Sequence, residues 1–113
     1  MDLAQPLIMS QPQASALPRF TLKCVQVSID LKIYPVLGMN IQEVMIGGAP
    51  EWIVPKQRLD FSFVLDLQGK ERRLQTYGVV ISNDSRGLDI RYRPPTSQWR
   101  GILTKLLTDE NTR

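Results

Sequence analysis

Residues 58–67 read Arg-Leu-Asp-Phe-Ser-Phe-Val-Leu-Asp-Leu. Leu59, Phe61, Phe63, Leu65 and Leu67 fall on one face of an extended chain, and Asp60, Ser62 and Asp66 on the other. Period-two alternation with aromatic and branched residues is the signature of a strand with one buried face. Gln68-Gly69-Lys70 follows as a hairpin turn, and a return strand runs from Arg72 to Ser82. Asn83-Asp84-Ser85-Arg86-Gly87 makes the next turn, from residues that tolerate positive φ or bond their own backbone. Leu88, Ile90 and Tyr92 then alternate with Asp89, Arg91 and Arg93.

Upstream, Val25, Val27, Ile29, Leu31 and Ile33 alternate with Gln26, Ser28, Asp30 and Lys32. This predicts a first strand over 23–33, broken by Tyr34 to Gly38. A second strand is expected from Met39 to Ile46, running into Gly47-Gly48-Ala49-Pro50, and a short third over Trp52 to Val54. At the other end Pro94-Pro95 stops the last strand, and Thr96 or Ser97 caps a helix. Trp99, Ile102, Leu103, Leu106 and Leu107 form its apolar stripe. The fold expected is mainly β: a six-stranded antiparallel barrel with one C-terminal helix. The expected organisation is a flexible tail over 1–17, one domain over 18–108 and a frayed end over 109–113.

Composition narrows the chemistry. The chain has 113 residues, 42% of them hydrophobic and 22% charged, which suits a single core. One Cys and no His rule out an internal disulfide, multi-cysteine metal sites, histidine-ligated metals and His-dependent nucleophiles. Asp60 and Asp66 share the polar face of one strand but lie six residues apart, about 20 Å, too far for paired-carboxylate chemistry. No phosphate-cradling glycine motif is present. The expectation is therefore no enzyme and no cofactor. No apolar run approaches the length of a membrane span, and the first residues lack a signal peptide's basic start and apolar stretch, so a cytoplasmic location is expected. Net charge is +3, from 14 Lys and Arg against 11 Asp and Glu. The basic residues are dispersed among acids, which speaks against duplex nucleic acid.

The order of elements resembles the PilZ family, bacterial modules of cyclic di-GMP signalling. The resemblance covers roughly residues 18–107. Thr76-Tyr77-Gly78-Val79-Val80-Ile81 and Gly87-Leu88-Asp89-Ile90-Arg91-Tyr92 look like that family's last two strands. Two ligand signatures are implied. The R-x-x-x-R before the first strand reads Arg19-Phe20-Thr21-Leu22-Lys23, and the [D/N]-x-S-x-x-G reads Glu43-Val44-Met45-Ile46-Gly47-Gly48. The resemblance thus nominates Arg19, Lys23, Glu43, Met45 and Gly48 as cyclic di-GMP contacts. Lys23 keeps charge but lacks arginine's bidentate fork. Glu43 sets its carboxylate one methylene further out, and Met45 has no hydroxyl. Hydrogen bonds to charged groups contribute about 1.5–3 kcal/mol each. Losses of roughly 3–6 kcal/mol together would weaken binding about 10²–10⁴-fold.

Each residue also has a plainer reading. Arg19 and Lys23 suit the solvated start of a strand, Glu43 a surface strand position, and Met45 the barrel rim. Gly47 and Gly48 suit backbone geometry, and Arg91 and Arg93 a solvated face. Three functions follow. One is a regulatory adaptor with weak or lost cyclic di-GMP binding that docks on a protein partner in motility, pilus or biofilm control. Another is a working cyclic di-GMP receptor with variant motifs. The third is a small barrel for single-stranded nucleic acid, for which Tyr34, Tyr77 and Tyr92 are the candidate stacking residues and Phe61 and Phe63 are expected to be buried.

Overall fold

A computed structural model describes residues 17–111. The tail expected over 1–17 therefore lies outside the described residues apart from Leu17. Six strands form: β1 (Val25–Ile29), β2 (Lys32–Met39), β3 (Glu43–Ile46), β4 (Arg58–Leu67), β5 (Lys70–Asp84) and β6 (Gly87–Tyr92), followed by helix α1 (Trp99–Asn111). All pairings are antiparallel, and the order β1-β2-β3-β6-β5-β4 closes on itself as a barrel. Closure leaves no unpaired sheet edge. The expected fold class is what the chain adopts.

The alternation of 58–67 places Leu59, Phe61, Phe63 and Leu65 in the core with Val25, Val27, Met39, Ile46, Leu88 and Ile90. The Gln68-Gly69 turn has positive φ at both residues, 55° and 80°. This matches the twist of a two-residue hairpin. Helix α1 starts where Thr96 Oγ1 accepts the Gln98 N–H at 2.9 Å. Its stripe closes the barrel: Trp99, Leu103 and Leu106 are buried, and Trp99 lies against Phe63 with ring centres 4.7 Å apart. The helix runs on through Asn111, past the frayed end expected from 109, and Glu110 accepts the Lys23 N–H at 2.8 Å.

The six strands are not the six expected ones. Residues 23–33 do not form one strand. Ile29 pairs with Lys32 across a two-residue turn at Asp30 and Leu31, with φ of 50° and 71°. The apolar alternation ran on through this turn by coincidence, because Leu31 and Ile33 point to solvent while Tyr34 and Val36 point inward. The expected break at 34–38 is instead strand β2. Pro35 is tolerated there because it lies beyond the last β2–β3 pair, Val36↔Ile46; its missing N–H removes no rung. The expected strand 39–46 is two pieces. Asn40 Oδ1 accepts the N–H groups of Gln42 and Glu43, each at 2.8 Å, and turns the chain between β2 and β3. Trp52 to Val54 is loop, not strand. A side chain of β5 holds this loop instead: Asn83 Nδ2 donates to the carbonyls of Pro50 and Ile53.

Candidate functional site

On β3 the core-facing residues are Val44 and Ile46, so Glu43 and Met45 point outward. On β6, Leu88 and Ile90 face the core, so Asp89 and Arg91 point outward. Pairing sets Glu43 opposite Arg91 and Met45 opposite Asp89. Two carboxylates and one guanidinium thus meet on the outer wall of the barrel. The lead-in segment crosses this wall, fixed by reciprocal Phe20–Met39 main-chain hydrogen bonds at 2.8 Å.

That crossing lays Arg19 over both acids. Its Nη1 donates to Asp89 Oδ1 at 2.8 Å, and its Nη2 donates to Asp89 Oδ2 and Glu43 Oε1, both at 3.0 Å. Arg91 Nη2 reaches Glu43 Oε2 at 3.4 Å. Asn40 Nδ2 touches Glu43 Oε1 at 3.5 Å and donates to the Leu17 carbonyl at 3.3 Å, pinning the start of the segment. Glu43 is fully buried and Asp89 nearly so. The Asp89 hydrogen bond, opposed by burial and aided by the charges of Asp89 and Glu43, holds the Arg19 guanidinium protonated above its ordinary range. The bidentate Arg19–Asp89 pair is the strong form of such contacts.

The nominated residues divide. Arg19 and Glu43 are in direct contact, and Met45 is on the same wall beside Asp89. Lys23 belongs elsewhere: its backbone is tied to Glu110 of α1 and its side chain is exposed. Gly48 lies past the end of β3, exposed, with φ of 76° and open space where a Cβ would sit. Glu43 is not the surface strand residue that its type suggests; the crossing segment covers it. Sequence reasoning missed Asp89, Asn40 and the role of Arg91. Their outward positions were readable from alternation, but the β3–β6 pairing joins strands far apart in sequence.

Phe61 and Phe63 are buried as expected. Of the three tyrosines considered for base stacking, Tyr34 and Tyr92 are buried. Tyr77 is exposed, but the Arg58 guanidinium lies over its ring, 4.1 Å from the centre. Cys24 is half-buried; burial first, then the charge of Glu110, pushes its thiol pKa up, against a reactive role. Among the described residues no cluster of metal-ligating side chains occurs, and no helix is long and apolar enough to cross a membrane. Comparison with family models, with curated proteins and with solved structures returns no match.

Proposed function

We propose that this chain is a non-enzymatic bacterial regulatory module of the PilZ type, a cytoplasmic adaptor that docks on a protein partner and binds cyclic di-GMP weakly or not at all. One observation carries the ligand part of this reading. Arg19, the arginine that the resemblance assigns to the dinucleotide, already has three hydrogen bonds to two carboxylates. A phosphate would have to displace both from the guanidinium, and would then lie beside buried Glu43 and Asp89. Like charges at such a distance in a partly dry site oppose binding. Lys23 supplies no second clamp, since its backbone is drawn toward α1. The nucleic-acid alternative is weakened by Arg58, which covers the one exposed tyrosine ring among the three considered.

Titration calorimetry with cyclic di-GMP tests the reading. The expected result is no heat of binding up to high micromolar ligand. Tight binding that Arg19→Ala abolishes would overturn it in favour of the receptor. Tight binding that survives Arg19→Ala would overturn both the reading and the assigned site.

A further inference from the structure

The outer face of β4, β5 and β6 holds a second arrangement, which shares only Arg91 with the Arg19 cluster. Pairing sets Arg58 of β4 opposite Val79 of β5, and Val79 opposite Arg91 of β6. One step along, Asp60 is opposite Tyr77, and the Tyr77 carbonyl accepts the Arg93 N–H at 2.9 Å. Leu59, Val80, Ile90 and Tyr92 fill the core, so Arg58, Tyr77, Val79, Arg91 and Arg93 share the outward face. Tyr77 is 36% exposed and Val79 39%. They form a short apolar strip with arginines on both sides. At the C-terminal end of β6, Arg91 and Arg100 flank an open cleft of about 510 Å³, with Gln42 and Pro94 in its wall.

The charge of this face is positive. Asp60 is matched by Arg58 at 3.4 Å, and Arg91 reaches Glu43. Arg93 and Arg100 have no ion-pair partner among the described residues. The strip is also held in shape: Thr76 Oγ1 donates to the Arg93 carbonyl, and the paired strands fix the spacing of the arginines. A rigid surface of this kind binds with little ordering cost.

We infer that this face docks an acidic protein segment carrying an aliphatic or aromatic anchor. The arginines select the acidic partner by complementary charge, and Tyr77 with Val79 receives the anchor. The Arg58 guanidinium over the Tyr77 ring leaves no bare ring face on which successive bases would stack, and the anchor packs instead on the exposed aliphatic Val79 beside it, which favours a peptide over single-stranded nucleic acid. The inference rests on the adaptor reading and names the chemistry of its partner.

Fluorescence anisotropy with the full chain tests it. The probe is a short fluorescein-labelled peptide alternating Glu or Asp with Leu or Phe. A Glu/Asp–Gly/Ser peptide and oligo-dT are compared with it. Saturable binding that weakens with added salt is expected. Arg58→Glu with Arg93→Glu weakens it about tenfold. Arg72→Glu with Arg73→Glu, the same charge change on the exposed far arm of β5, leaves it within about twofold by the same measure. Tyr77→Ser with Val79→Ser weakens the Leu/Phe peptide and spares the Gly/Ser one. Circular dichroism confirms that each variant is folded. Equal weakening by the two charge reversals, or tighter binding of oligo-dT than of peptide, overturns the inference. Absent peptide binding together with absent cyclic di-GMP binding overturns the docking face alone. Tight cyclic di-GMP binding overturns the adaptor reading, and the peptide result then stands by itself.

Discussion

Arg19 stabilises this protein whatever the protein binds. Glu43 and Asp89 are buried acids on neighbouring strands, and the Arg19 guanidinium contacts both. Buried ion pairs add little net stability over apolar groups of the same shape, but removing one partner leaves an uncompensated charge. Arg19→Ala is therefore expected to destabilise the fold by about 3 kcal/mol, the lower end of the usual range, because Arg19 is partly exposed and Arg91 still reaches Glu43. Urea unfolding monitored by tryptophan fluorescence measures this. Adding Asp89→Asn to Arg19→Ala is expected to recover part of the loss, since it removes one of the two stranded charges. A double variant less stable than Arg19→Ala would contradict this electrostatic account.

Closer packing of β5 on β6 depends on a single glycine. Gly78 faces inward opposite Tyr92, and a Cβ there would lie 2.4 Å from the Arg91 carbonyl and 2.9 Å from the Tyr92 Cα. Both are backbone atoms, so no side-chain rotation relieves the clash. Gly78→Ala is expected to cost about 2–3 kcal/mol or to prevent folding, as overpacking of a tight interior does. A thermal melt measures it, and a midpoint within a degree or two of the parent would show that the strands can separate.

The same elements show what the sequence made readable. β4, the hairpin at 68–69, β5, β6 and α1 were all visible, because Leu59 to Leu67, the Gly69 turn and the Trp99 stripe each follow one period without interruption. The β1–β2 hairpin was hidden because Asp30-Leu31 adopts positive φ without a glycine, and Leu31 stands 94% exposed in phase with the buried valines before it. A non-glycine residue in that conformation costs about 1–2 kcal/mol, so composition gave no sign of the turn. The site was half readable. Motif spacing led to Arg19 and Glu43, whereas Asp89 enters only through the pairing of β3 with β6, a contact that no local pattern encodes.

Barrel, helix and site wall meet at Tyr92, which couples the stability of the whole domain to pH. Its hydroxyl donates to the Asn40 carbonyl and accepts from Trp99 Nε1, both at 2.7 Å, and its ring stands edge-on to Phe63. Burial disfavours the phenolate and raises the Tyr92 pKa well above its ordinary value; the hydrogen bond from Trp99 only partly offsets this. In the unfolded chain the same group loses its proton near pH 10. The folded state therefore holds the proton more tightly. Its contribution is complete below about pH 10 and declines as pH rises from there toward the folded pKa, at a limiting slope of about 1.4 kcal/mol per pH unit. Cys24, also raised, would add a slope of the same sign from about its ordinary thiol pKa of 9.0 upward, so the measurement belongs in a Cys24→Ser background. There the melting midpoint is expected to stay level up to about pH 9 and to fall steeply above pH 10. Tyr92→Phe leaves Trp99 Nε1 and the Asn40 carbonyl without this partner. It is expected to melt lower than the parent at neutral pH, yet with a markedly shallower alkaline decline, so that the two curves converge. Parallel curves would mean that the alkaline loss arises from other groups, and that Tyr92 does not link protonation to the fold.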